Sequence, residues 1–85
     1  MEFLEPGEIA TLEENKEFIC LAAKNLNGNN YVYLISNYKP LEVRFCRQYI
    51  DNGVLKMDII TDPNLKKELL ELFIPKEEAW NSKKI

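Results

Sequence analysis

The stretch that decides the fold is EFICLAAKNLNGNNYVYLISNY, residues 17–38. Two runs with strand-forming composition, Glu17–Lys24 and Tyr31–Tyr38, flank a polar segment whose Asn27-Gly28 pair is the strongest short signal for a hairpin turn. Both runs are apolar on both faces, so each of them must be covered twice. We therefore expect an antiparallel pair of strands in the middle of a sheet.

Further strands are predicted on both sides of this pair. Glu8–Leu12 is a short candidate before it, and Leu41–Ile50 and Val54–Ile60 follow it. Leu41–Ile50 alternates, with Leu41, Val43, Phe45 and Tyr49 on one face and Glu42, Arg44, Cys46 and Gln48 on the other. This pattern predicts a strand with one exposed face, on whose apolar side Arg47 is the one misfit.

The turn between the last two strands fixes their register. A two-residue Asn52-Gly53 loop would set Tyr49 opposite Lys56 and mix the two faces, whereas a loop that begins one residue earlier sets Tyr49 opposite Leu55. A slip of one residue moves every side chain to the other face. We therefore predict a three-residue loop with Gly53 in a left-handed bulge.

The last third of the chain has helical periodicity. Thr61 or Asp62 can cap a helix that begins at Pro63 and runs to about Ile74. Its core stripe comprises Leu65, Leu69, Leu72 and Phe73. Pro75 ends this helix, and residues 75–85 are expected to form a short second helix or a tail.

These elements predict one domain, residues 1–85, of the α+β class. We expect a five-stranded antiparallel meander over about residues 8–60, strongly twisted and barrel-like. The C-terminal helix, about residues 63–74, is expected to pack on one face of the sheet.

Composition excludes several kinds of chemistry. The 85 residues carry a net charge of −3 with a pI near 5.0, which disfavours nucleic-acid binding through phosphates. The chain has no histidine, so neither a Ser-His nor a Cys-His nucleophile arrangement can form. We expect no enzymatic activity, no cofactor and no metal.

The chain has no apolar run of membrane-spanning length and no basic start, so we expect no membrane and a cytoplasmic location. Cys20 and Cys46 are expected to be buried, reduced thiols.

Five residues are candidates for partner binding. Leu70 and Ile74 fall outside the core stripe of the helix, and with Trp80 beyond Pro75 they can form an exposed apolar patch. In the alternative interpretation, the tail folds back and Trp80 covers the central strands. Arg44 and Arg47 are the second pair of candidates. For Arg47, on the apolar face, the alternative is a structural role in which the side chain extends to the edge of the sheet or finds a partner there.

Aromatic residues suggest a different function. Tyr31, Tyr33, Tyr38, Phe45 and Tyr49, with two neighbouring arginines, are typical of a platform that stacks single-stranded nucleic acid. The same residues are equally typical of a sheet core. The acidic net charge favours the core interpretation.

The order of motifs resembles that of small uncharacterised proteins of low-GC Gram-positive bacteria and their phages. The resemblance extends over about residues 7–74 and is carried by Tyr31–Leu34, Glu42–Phe45, the Asn-Gly turn and the segment Asp62–Phe73. That family has no assigned activity, so the resemblance implies no functional residue. Small acidic proteins of this kind on phages often resemble inhibitors of host proteins, including anti-CRISPR proteins. By this analogy we expect a non-enzymatic protein-binding module, such as a phage or mobile-element regulator or inhibitor of a bacterial defence protein. The alternatives are a binder of single-stranded nucleic acid or a small ligand, and a self-associating structural protein such as a homodimer.

Overall fold

The computed structural model describes residues 3–74 and has the predicted α+β architecture. The five strands are antiparallel, lie in the order β1-β2-β3-β4-β5 and form a curled half-barrel, so the meander is confirmed. The elements are β1 (Ile9–Thr11), a 3-10 turn (Glu13–Asn15), β2 (Glu17–Leu26), β3 (Asn29–Ser36), β4 (Val43–Asp51), β5 (Val54–Ile59) and α1 (Pro63–Phe73). The second helix or tail expected at 75–85 lies outside the described residues.

The central hairpin forms as the Asn-Gly signal predicts. Leu26 pairs with Asn29, so the loop contains only Asn27 and Gly28. Both have positive φ, 52° and 84° respectively, which is the backbone of a type I′ turn. The mirror-image turn matches the right-handed twist of the flanking strands. The pairing of β2 with β3 is interrupted once, by a bulge at Leu21.

The three-residue loop predicted between β4 and β5 is wrong. Asp51 pairs with Val54, so the loop contains only Asn52 and Gly53, whose φ angles are 52° and 76°. This second type I′ turn sets Tyr49 opposite Lys56, the arrangement that the sequence interpretation rejected. The left-handed conformation predicted for Gly53 is nevertheless present.

The register is shifted because the side of β4 that looks polar is the buried one. Cys46 and Gln48 are only 0% and 3% exposed, and they lie opposite Ile59 and Met57 of β5. Gln48 is tolerated there because both polar atoms of its side-chain amide have a hydrogen-bond partner. It accepts a hydrogen bond from the Leu4 amide at 2.8 Å and donates one to the Leu4 carbonyl at 3.3 Å. The apolar residues of β5 therefore contact the thiol and amide of β4.

One hydrophobic cluster fills the inner face of the half-barrel. Its fully buried members are Phe18, Cys20, Val32, Leu34 and Cys46, and Leu4, Leu12, Tyr38, Met57 and Ile59 pack around them. No helix covers this face among residues 3–74. The curl of the sheet and the N-terminal segment at Leu4 cover it instead.

Helix α1 packs on the outer face of the sheet. Asp62 is its N-cap and accepts a hydrogen bond from the Asn64 amide at 3.1 Å, and Pro63 is the first helical residue, as predicted. Leu69 is fully buried against Tyr31 and Ile60, and the other residues of the predicted stripe pack around them. In the part of the chain that the structure describes, no helix is both long enough and apolar enough to cross a membrane.

Replacing Gly53 with valine is expected to destabilise the protein by about 1–2 kcal/mol, because a β-branched residue at a φ of +76° is strained. No other atom lies within 4 Å of a Cβ built at this position, so the cost comes from the backbone alone. Gly53→Asn is the matched control, since asparagine tolerates left-handed backbone and should lose much less. Urea unfolding measures both variants, and equal midpoints for Gly53→Val and the parent would contradict the turn.

Candidate functional site

The strongest candidate for an interaction surface is the part of the outer sheet face that α1 leaves uncovered. Phe73, near the end of the helix, packs its ring 5.8 Å from that of Tyr33 and 5.9 Å from that of Phe45. Side chains two residues apart on a strand share a face. The next residues on this face, Ile35 of β3 and Val43 of β4, therefore lie beside Tyr33 and Phe45, outside the rings that Phe73 covers.

These next residues belong to an apolar row that crosses four strands. Ile9 pairs with Ile19, Ile19 with Ile35, and Ile35 with Val43. The two ends of the row are open, with Ile9 at 53% and Val43 at 43% exposure. Leu21, the extra residue of the bulge, is also exposed on β2. Contiguous exposed apolar residues of this kind mark interaction sites more often than scattered ones do.

Leu70 extends this row onto the helix. Lys66 lines a cavity of about 320 Å³ together with Val43 and Phe45, so this side of the helix faces the end of the row. Leu70 lies one turn further along the same side and is 49% exposed. We call Ile9, Ile19, Leu21, Ile35, Val43 and Leu70 the outer apolar surface.

Ile74, the C-cap of α1, is 39% exposed, so it and Leu70 both lie outside the core as predicted. Trp80, the third member of the predicted patch, lies outside the described residues.

Arg47 has a structural partner. Its Nη2 atom lies 3.0 Å from Oδ2 of Asp58 on β5, and its guanidinium lies 4.7 Å from the centre of the Tyr49 ring. Asp58 pairs directly with Arg47 across the two strands. The misfit that the sequence shows on the apolar side of β4 is therefore resolved by a cross-strand ion pair.

Arg44 lies on the opposite face of the sheet from Arg47. It pairs with Leu34, and its guanidinium stands 5.5 Å from the centre of the Phe18 ring. Its Nη2 atom also lies 3.7 Å from the Glu42 carboxylate. The structure therefore does not bring the two arginines together, and neither belongs to the outer apolar surface.

The aromatic residues do not form an open platform. Tyr31 is buried, and Tyr33 and Phe45 stack on each other at 5.2 Å beneath Phe73. Tyr38 packs edge-on against Phe18 on the inner face. The rings on the outer face are thus engaged by the helix and by Arg47.

A polar network surrounds Glu42 at the end of the sheet. The Tyr38 hydroxyl donates a hydrogen bond to the Glu42 carboxylate and lowers the pKa of Glu42 below its usual range, and the charges of Lys16 and Arg44 lower that pKa further. The Ser36 hydroxyl donates to the Tyr38 carbonyl at 2.9 Å and accepts from the Glu42 amide at 2.8 Å. This network closes the loop between β3 and β4.

The two thiols are buried, as expected. Cys20 and Cys46 are not joined in a disulfide, and they are 1% and 0% exposed. Burial raises the pKa of Cys20, which reduces its thiolate fraction. Within residues 3–74, no three Cys, Asp or Glu side chains are grouped so that they could hold a metal ion.

The sheet part of the outer apolar surface is not among the residues predicted from the sequence. A signal was present, since β2 and β3 are apolar on both faces and a single helix of eleven residues is too short to cover a five-stranded sheet. Which isoleucines remain uncovered depends on the strand register and on where α1 crosses the sheet.

Comparisons with protein-family models, with curated proteins and with solved structures find no match to this chain.

Acid should destabilise the protein partly through Glu42. The pKa of Glu42 is lowered in the folded state, so its ionised form stabilises the fold above the unfolded pKa of about 4.3, and this contribution is lost as the pH falls through the folded pKa. Glu42→Gln should therefore lower the urea midpoint at pH 7 and flatten its decline as the pH falls below about 5. Glu68→Gln, an exposed change on α1, is the control and should follow the parent. Parallel curves for Glu42→Gln and the parent would contradict this role.

Both cysteines should react slowly with a thiol reagent in the native protein. Burial blocks access to them, so modification should be about a hundredfold or more slower than in urea. Stopped-flow absorbance with a chromogenic disulfide measures the two rates. Rapid labelling of either cysteine in the native state would show that its part of the core is open.

Proposed function

We propose that this protein is a non-enzymatic protein-binding module whose contact surface is the outer apolar surface. The observation that carries the proposal is the row of Ile9, Ile19, Ile35 and Val43, which crosses four strands beside the helix and ends in exposed side chains. Burying such a row against a partner removes apolar area from water at roughly 25 cal/mol per Å².

The shape of this surface also favours a protein partner. The row from Ile9 to Val43 forms the floor of the surface. The side of α1 that carries Leu70 forms a wall at the Val43 end of this row. A floor and a wall of aliphatic side chains suit the apolar face of another protein, which is the composition expected at the centre of an interface.

The biological role within this class is part of the proposal. The resemblance to small phage and bacterial proteins supports an inhibitor or regulator encoded by a phage or mobile element, acting in the bacterial cytoplasm on a defence protein, as anti-CRISPR proteins do. Expressing the chain in a phage-resistant host and counting plaques tests this role. Plaque numbers should rise for the parent and not for a surface variant.

Two other functions remain as alternatives. A nucleic-acid binder would need free aromatic faces and a basic surface, and the engaged rings and the net charge of −3 favour it less. A self-associating protein would use the same outer apolar surface. Retention on heparin at low salt tests the first alternative, and light scattering over a range of concentrations tests the second.

A double variant, Leu70→Glu/Val43→Glu, should stay folded and lose its partner. Both side chains are substantially exposed, so the free protein is little changed, whereas the complex would have to bury two carboxylates. We expect affinity to fall about thirtyfold or more, measured with a partner first captured from bacterial lysate and then purified. Undiminished binding by the folded double variant would contradict the proposed surface.

Val54→Glu is the matched control. Val54 is as exposed as Leu70, at 49%, but it lies at the β4–β5 turn, eleven residues beyond Val43 along the chain. Its substitution should leave binding unchanged.

Trp80→Ala in the same assay tests the sequence-based expectation that the tail contributes to binding. Tyr33→Ala should lower stability instead, because Tyr33 stacks on Phe45 and packs against Phe73.

A further inference from the structure

The half-barrel is open between its two edge strands, and the opening is a groove. It has a volume of about 460 Å³ and lies between β1 and β5. Its walls are mostly apolar and include Leu4, Ala10, Leu12, Leu55, Met57 and Ile59. This groove is separate from the outer apolar surface, with which it shares only Ile9 at the edge of β1.

Within residues 3–74, no strand pairs with the outer edge of β5, so its backbone groups are available to this groove. Hydrogen-bonded pairs alternate with non-hydrogen-bonded pairs in an antiparallel ladder. The Ile60 amide donates to the Phe45 carbonyl at 2.8 Å, so counting back in steps of two places the backbone groups of Val54, Lys56 and Asp58 toward β4. The amides and carbonyls of Leu55, Met57 and Ile59 consequently point away from β4, toward the free edge.

The edge of β1 has the same arrangement over a shorter length. The Glu8 carbonyl accepts from the Cys20 amide and the Leu12 amide donates to the Lys16 carbonyl, each at 2.8 Å. In the ladder with β2 and with Lys16 just before it, residues 8, 10 and 12 are therefore at the hydrogen-bonded positions, and the backbone groups of Ile9 and Thr11 face the groove. With three residues, β1 is half as long as β5, which has six, so β5 is the better template.

β5 also lacks most of the features that prevent edge strands from pairing. Within Val54–Ile59 there is no proline and no bulge, and the side chains on its groove side are Leu55, Met57 and Ile59. Lys56 and Asp58 lie on the outer side, where Asp58 is paired with Arg47. An added strand would therefore meet free backbone groups and an apolar surface on the same side of β5.

Charge indicates the composition of the added strand. Of the described residues, 3–17 contain five glutamates and one lysine, a net charge of −4, whereas 18–74 contain seven basic and six acidic residues, a net charge of +1. The acidic segment includes β1 and the residues on both sides of it. A segment that approaches the groove is therefore attracted if it is basic.

We propose that the groove receives an extended, basic segment of a partner protein, which adds to the free edge of β5 as a sixth strand. Alternate apolar side chains of the segment fill the groove above Ala10 and Met57, and lysine or arginine residues at the intervening positions remain in solvent near the acidic β1 side. Main-chain hydrogen bonds to Leu55, Met57 and Ile59 supply affinity, and the inward side chains supply selectivity.

Amide hydrogen exchange with a synthetic peptide tests this proposal directly. The probe is a capped heptapeptide of alternating valine and lysine, VKVKVKV, and its control is the block peptide VVVVKKK of the same composition. The alternating peptide should slow exchange at Leu55, Met57 and Ile59 by about tenfold or more at saturation. The amides of Lys56 and Asp58, which already point toward β4, should not change. Added salt should weaken binding of the probe.

A filled groove provides the second arm of the test. Ala10→Trp places a large side chain in the groove without removing a hydrogen bond, and it should weaken peptide binding about tenfold or more. Ala23→Trp, an exposed position on β2 outside the groove, is the matched control and should bind like the parent. If Ala10→Trp does not fold, the exchange experiment on the parent protein with the two peptides still tests the proposal.

Three results would overturn the proposal. The first is unchanged exchange at Leu55, Met57 and Ile59 with saturating alternating peptide. The second is equal protection by the block peptide, which would indicate charge attraction alone. The third is protection that rises with protein concentration without peptide, which would make a second copy the occupant. The capture assay with the Leu70→Glu/Val43→Glu variant tests the outer apolar surface and not the groove. The proposed function and the proposed strand addition can therefore fail independently.

Discussion

The two-residue turn at Asn52-Gly53 is the constraint on which the arrangement of the last two strands depends. Both residues have positive φ, a combination that asparagine followed by glycine adopts at low cost. The turn sets Asp51 opposite Val54, and every later pair of β4 and β5 follows in steps of one. A loop longer by one residue would exchange the two faces of β5. The composition of the inner core and the lining of the groove therefore depend on this turn.

This register places the amide of Gln48 in the core, where an unsatisfied polar group would cost about 1–3 kcal/mol. The Leu4 backbone satisfies it on both sides, with one donated and one accepted hydrogen bond. Leu4 is 44 residues away along the chain, so the contact brings the N-terminal segment across the inner face. The same segment supplies the Leu4 side chain to the core and to the groove. The buried amide of Gln48 thus holds the N-terminal segment in the position where the Leu4 side chain covers the core.

Local patterns predicted most of the elements. The Asn27-Gly28 turn, the Asp62 cap and the Leu69 stripe are signals carried by neighbours in sequence, and the structure confirms them. The β4–β5 register predicted from the sequence is wrong because the alternating pattern places Gln48 on the solvent-facing side of β4, whereas its side chain is buried. Its burial depends on Leu4, a contact that no local pattern contains.

The candidate site was likewise predictable where it depends on local sequence patterns and not where it depends on long-range contacts. Helical spacing alone indicates that Leu70 and Ile74 lie outside the core, and both are exposed. The partner of Arg47 follows from the β4–β5 register, so it could not be identified while that register was wrong. The row from Ile9 to Val43 requires three strand pairings and the path of α1 across the sheet.

The meander topology has a consequence for how the chain folds. Every strand pairs with its neighbour in sequence, so the two tight hairpins can form early with little loss of loop entropy. The two hydrogen bonds between Leu4 and Gln48 form differently from the hairpins. They close a loop of more than forty residues and need β4 already in place. We expect the N-terminal segment to dock last in folding and to detach first in native-state fluctuations. The mouth of the half-barrel would then open and close without global unfolding, each time the two hydrogen bonds to Gln48 and the packing of Leu4 are released together.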